Sequence, residues 1–237
     1  TGHNPRPETL PDEVQAMLPA RVPRTHRGEL QASSLPSAAV DATFRLFRAS
    51  LVPLEDAGKL GYVLFQFAPW VRFAPEWLAY LEGLPARLPG WRVAVEFRDR
   101  SWFPDHADET LAVLRSARLA HVIVDAPRGG PAIPRVVART ASPAVFRLHG
   151  RNAEGWLRQL RGEEPAVREK YDYLYSHAEL RELVPEVEAT AEEDGEVFVS
   201  FNNNNRDYPV RNALMMKRLL GQPASDPPPA GPGDLFA

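Results

Sequence analysis

Val93-Ala94-Val95-Glu96-Phe97-Arg98-Asp99-Arg100 is a short apolar run that breaks at once into concentrated charge. It reads as a buried strand, and its polar end places Glu, Arg and Asp at one rim of a sheet. In α/β folds that rim is where ligands bind. The pattern recurs in Val122-Ile123-Val124-Asp125, in Val145-Phe146-Arg147-Leu148-His149-Gly150-Arg151-Asn152 and in Val197-Phe198-Val199-Ser200-Phe201-Asn202-Asn203-Asn204-Asn205. A further near-continuous apolar run, Leu60 to Phe67, ends in Gln66-Phe67-Ala68-Pro69 and reads as another buried strand.

Between these strands lie helical patterns. Apolar spacing predicts helices over Ser37–Leu51, Pro75–Leu88, Asp105–Ala117, Ser176–Glu193 and Val210–Leu220. Thr9 is expected to cap a short helix that starts with Pro11, Asp12 and Glu13. Alternating strands and helices point to parallel β/α units. The strand ends Gln66, Glu96, Asp125, His149 and Asn202 are spaced by 30, 29, 24 and 53 residues. The first three spacings fit single β/α units, and the last leaves room for a long loop or an additional short strand. Five buried strands without an amphipathic edge strand favour a TIM-type barrel over an open sheet. Residues 1–220 are expected to form that barrel. The Pro- and Gly-rich residues 221–237 read as a disordered tail.

Composition removes several function classes. The chain of 237 residues has a formal net charge of −3, so no global field draws it to duplex nucleic acid or an anionic membrane. It has no cysteine, which excludes disulfides, thiolate metal sites and a Cys nucleophile within the chain. No apolar run approaches a membrane span and no signal peptide is evident, so a cytoplasmic protein is expected. No Gly-rich nucleotide fingerprint, P-loop or Gly-x-Ser-x-Gly elbow is present, so no nucleotide cofactor is expected. Only three of the 28 basic residues are lysines: Lys59, Lys170 and Lys217.

Gln66-Phe67-Ala68-Pro69, Glu96-Phe97-Arg98-Asp99-Arg100-Ser101-Trp102, Arg147-Leu148-His149-Gly150-Arg151-Asn152, Tyr171-Asp172-Tyr173-Leu174-Tyr175-Ser176 and Phe201-Asn202-Asn203-Asn204, followed by Arg211-Asn212-Ala213, occur in one order. That series resembles the YecE-like family, known only as domain of unknown function number 72. The resemblance covers roughly Gly61 to Leu220 and implies a TIM-type barrel. It also implies an incomplete one. The Gly-Trp motif of the family's first strand and its Asn-Ser-Thr-Phe-Tyr-like motif are missing, and Thr1-Gly2-His3 resembles the point just after the third strand. Asp99 stands where the family usually has His, and Ala68 where it often has Pro.

The rim suggests chemistry without naming a substrate. Glu96, flanked by Val95 and Phe97, is costly to bury unless paired. It reads as a general acid or base, a metal ligand, or a partner of Arg98, Arg100 or Arg147. His149 can move protons or ligate a metal. Asp125 is either a third catalytic group or a turn former before Ala126-Pro127. Together Glu96, Asp125 and His149 leave a divalent cation open as a cofactor. Gln66, Arg98, Arg147, Arg151, Asn152, Asn202 and Asn203 are the substrate-binding candidates. The arginines suit phosphate or carboxylate, and the amides suit polar ligands. Tyr171, Tyr173 and Tyr175 either stack on a ring or pack the loop. This pattern points to an enzyme of hydrolase or lyase type acting on a small polar or anionic molecule. A non-catalytic module holding an anion or a nucleic-acid end, and an inactive fragment, stay open. The enzyme reading expects Glu96→Gln to leave folding intact and abolish turnover.

Overall fold

In the computed structural model the described residues are 5–24, 29–30, 35–128, 133–161, 163, 169–192 and 195–225. Most of the expected tail, and Thr1 to His3, lie outside them. Five strands alternate with helices. They are β1 (Val63–Gln66), β2 (Val93–Glu96), β3 (Ala120–Asp125), β4 (Ala144–Leu148) and β5 (Val197–Phe201). The helices are α1 (Asp12–Ala16), α2 (Ser37–Asp56), α3 (Pro75–Arg87), α4 (Ala107–Ser116), α5 (Ala153–Leu160), α6 (His177–Glu192) and α7 (Tyr208–Leu219). All strands are parallel and stand in chain order, β1-β2-β3-β4-β5.

Local sequence explains the elements. Pro75 sits in the first turn of α3, where its missing N–H costs nothing, and Leu78, Leu81 and Leu84 bury one face. In α6 the stripe is Leu180, Leu183 and Val187. These helix faces pack on one side of the sheet, against Val63, Phe67, Val95 and Phe97 and against Ile123, Phe146 and Leu148. Trp102, fully buried beneath the rim, rests on Phe97 at 4.3 Å and donates through Nε1 to the Val71 carbonyl.

One local expectation needs correction. Thr9 does not cap α1: residues Pro7–Thr9 form a 3-10 turn, the Thr9 hydroxyl donates back to the Arg6 carbonyl, and Pro11 stands at the cap. Between His149 and Asn202 the described residues form helices α5 and α6 and no additional strand. Asp99 has a local function, its carboxylate accepting from the Ser101 N–H to cap the turn Arg100–Trp102.

The sheet is curled. In a flat five-stranded sheet, β1 and β5 would lie about 19 Å apart. Here the ring of Tyr62, just ahead of β1, and that of Phe198, within β5, stand 5.2 Å apart centre to centre. A Cβ on Gly61 would meet the Phe198 ring at 3.0 Å, so the smallest residue stands where the two edges come together. Arg92 ahead of β2 likewise reaches Glu196 ahead of β5. The result is an α/β half-barrel with a helix-covered convex face and a concave inner face. No helix among the described residues is long and apolar enough to cross a membrane.

Candidate functional site

Register decides which side chains share the concave face. Gln66 pairs with Glu96 across β1 and β2, Val124 with Arg147 across β3 and β4, and Arg147 with Ser200 across β4 and β5. The ladder runs one rung further at the C-terminal end. The His149 N–H donates to the Asp125 carbonyl at 2.8 Å and the Asn202 N–H to the Leu148 carbonyl at 2.7 Å. Gln66, Glu96, Arg147, His149 and Asn202 therefore converge at one rim; four of them are among the five expected strand ends, and the fifth expected end, Asp125, is not in this group. Arg98, just beyond β2, joins them.

At the centre is Glu96, fully buried. Its Oε1 lies 2.5 Å from Arg98 Nε, an ion-pair contact, and 3.1 Å from His149 Nε2. Its Oε2 accepts from Arg147 Nη1. Arg98 Nη2 and Arg147 Nη1 also donate to Gln66 Oε1, at 2.9 and 3.2 Å. Arg147 Nη2 donates to Asn202 Oδ1 at 2.9 Å, which turns the other end of that amide toward His149. Asn202 Nδ2 then donates to His149 Nδ1 at 2.9 Å. Nδ1 is thus the acceptor, and the imidazole proton sits on Nε2, pointing at Glu96.

Burial by itself would raise the Glu96 carboxyl. The His149 hydrogen bond and the charges of Arg98 and Arg147 outweigh it and hold the group down at about 2. Burial lowers His149 to about 4; the Glu96 hydrogen bond opposes this and Arg98 adds to it. Near neutral pH the cluster therefore holds two guanidinium cations, one carboxylate and a neutral imidazole, a net charge of +1. Arg98 Nε has only its ion-pair contact with Glu96, and two further donors, Arg98 Nη1 and Arg147 Nε, make no hydrogen bond among the described residues. Tyr62 lines the same concavity. Burial raises its hydroxyl, Arg147 lowers it and Glu96 raises it.

The other candidates do not join this cluster. Asp125 pairs in register with Leu148, which packs in the helix-side core, so its carboxylate points away from Arg147. There it takes a two-pronged contact from Arg151 at 2.8–3.0 Å, with Glu179 and Glu182 each 3.6 Å from the same guanidinium. Asn152 caps α5 by accepting from the Gly155 N–H and ties down the Glu169 carbonyl through Nδ2. Asn203 is buried and braces Tyr173 and Asn212. Of the three tyrosines, Tyr175 is core and its hydroxyl accepts from the Gly150 N–H, while Tyr173 donates to Glu179. Tyr171 instead faces the site, its ring 6.0 Å from that of His149. Among the described residues no three His, Asp or Glu side chains converge as a metal would need. Sequence reasoning passed over Lys170, a buried ammonium beside Tyr171; its rarity in an arginine-rich chain was the available signal.

The comparisons with known proteins agree with the family resemblance. A family profile described as "Protein of unknown function DUF72" matches residues 10–233. The chain is similar to the UPF0759 protein YunF of Bacillus subtilis (strain 168), 33% identical over 194 residues, covering 80% of this chain and 68% of that protein. Among solved structures it is similar to the DUF72 family protein EF0366 of Enterococcus faecalis V583, with a TM-score of 0.72 and 29% identity over 81% of this chain and 70% of that one. It is also similar to the DUF72 family protein TM1631 of Thermotoga maritima MSB8, with a TM-score of 0.69 and 32% identity over 77% of this chain and 66% of that one.

Proposed function

The chain belongs to the DUF72 family of proteins of unknown function, and from that premise we propose that its concave rim holds the anionic group of a small polar substrate. The observation that carries this is the charge balance: Arg98 and Arg147 are both mostly buried and share the single carboxylate of Glu96. A buried excess of positive charge is costly, and a bound phosphate or carboxylate relieves it. Glu96 is fully engaged by its partners, so its role is to set the two guanidinium planes. Arg98 Nη1 and Arg147 Nε are the donors left to meet the anion. Titration calorimetry with inorganic phosphate tests this. Saturable binding that weakens about tenfold or more in Arg147→Met supports it, the size expected for a lost charge-assisted hydrogen bond. Equal affinity in the two proteins refutes it.

Acid–base chemistry at the same rim is the second reading, favoured by the contact between Glu96 and His149. A carboxylate accepting from one imidazole nitrogen makes the other a better base. Here that nitrogen is Nδ1, held by Asn202. A substrate that draws the Asn202 amide to itself frees Nδ1 to take a proton. We further read the half-barrel as five consecutive strands of a TIM-type barrel; the curl and the parallel order support this. Such barrels place their sites at this end of the strands.

A further inference from the structure

Lys170 is 7% exposed, and its ammonium lies between two ring faces, 4.9 Å from the centre of Trp156 and 4.6 Å from that of Tyr171. No carboxylate among the described residues pairs with it. Glu163 and Glu169, close by in sequence, are both taken by Arg158 at 3.2 and 2.8 Å. The position is built. Asn152 fixes the start of α5 and the backbone at Glu169. Gly155 lets that helix lie against the Lys170 backbone, since a Cβ there would come within 2.7 Å of the Lys170 nitrogen. Trp156 is thereby laid over the ammonium. Ring faces soften the cost of taking an ammonium out of water but do not supply the missing negative charge. Tyr171 also neighbours His149, with ring centres 6.0 Å apart, so one phenol lies beside both the lysine and the histidine of the arginine cluster.

We propose that Lys170 is a second cationic subsite of the same rim, and that the ligand is a small molecule with two separated anionic groups. One group meets Arg98 and Arg147, and the other meets Lys170 beyond the Tyr171 ring. This rests on the anion reading of the arginine cluster and adds a ligand class to it. Three kinds of small molecule carry such a pair: a bisphosphate, a phosphorylated carboxylate or a dicarboxylate. All share two anions held apart.

The test compares inorganic phosphate with tripolyphosphate by calorimetry on the full chain, wild type and Lys170→Met. The expected result is tighter binding of tripolyphosphate by wild type. In Lys170→Met that preference falls about tenfold while phosphate affinity stays within about twofold. An unchanged preference overturns the lysine subsite and leaves the arginine site standing. Saturable binding of neither anion by wild type overturns both. Acetylation of wild type, read by mass spectrometry, keeps the question answerable if Lys170→Met fails to fold. Lys59 and Lys217 are exposed and serve as references. Tripolyphosphate should slow modification at Lys170 relative to both. Equal slowing at all three lysines, or none at Lys170, overturns the subsite.

Discussion

Replacing Glu96 by Gln removes one negative charge from a site with no exposure, between guanidinium groups whose side chains are 7% and 11% exposed. The amide oxygen can still accept one hydrogen bond, but two largely desolvated cations lose their shared counter-charge. Breaking a buried pair from one side costs about 3–5 kcal/mol, a large share of the roughly 5–15 kcal/mol that holds a typical domain together. The variant is therefore destabilised rather than fold-neutral, which departs from the simple catalytic-knockout expectation drawn from sequence. Urea unfolding followed by tryptophan fluorescence reads this as a fall in midpoint of about 1 M or more, for a slope near 3 kcal/mol per M. Glu196→Gln is the control. Its ion pair with Arg92 is 45% and 40% exposed, and pairs of that kind contribute about 1 kcal/mol or less. Added phosphate should recover part of the Glu96→Gln loss, because the bound anion takes the place of the missing charge. A loss below about 1 kcal/mol, or one no larger than in the control, would refute the reasoning about Glu96.

Asp125→Asn should lower stability by about 2 kcal/mol, the scale of a lost charged hydrogen-bond pair, and leave phosphate affinity within about twofold; a collapse of phosphate binding would place Asp125 in the site after all. Gly61→Val forces the Phe198 ring away from the closing edge of the half-barrel, at about 1–3 kcal/mol for overpacking, and a double variant with Phe198→Leu should recover part of it. Burial holds His149 and His121 at about 4 when folded, against 6.5 for the free side chain. Their contribution is complete above about pH 6.5 and is lost as pH falls toward 4, by about 1.4 kcal/mol per pH unit for each histidine. Glu96, held at about 2, keeps its contribution above about pH 4.5 and loses it below that. Flat stability between pH 6.5 and 5 would contradict the neutral, buried state of the two imidazoles.

The strands were legible because each is a compact apolar run that breaks into polar residues, and those polar ends lie at one edge of the sheet. Periodicity could not assign faces. Asp125 ends its strand much as Glu96 does, yet it lies one residue out of phase with Arg147 and turns to the helix side. That phase depends on pairing between strands, which no single run of sequence encodes. Arg151, Asn152 and Asn203 stand apart from the arginine cluster for a related reason. They neighbour Arg147, His149 and Asn202 in the chain, but each is held by a loop or helix: Arg151 by Asp125, Asn152 by the start of α5, Asn203 through its Nδ2 by Asn212. The curl was visible only as a preference for a barrel, because the contact that reveals it joins Gly61 to Phe198 across the whole sheet.

The most direct measurement is a crystal of the protein soaked in tungstate, with the anomalous signal locating the anion. An anion at the concave rim should stand within hydrogen-bond distance of Arg98 Nη1 and Arg147 Nε, beside Asn202. Tungstate ordered only at other surfaces, with this rim vacant, would contradict the proposal that the arginine pair is an anion site.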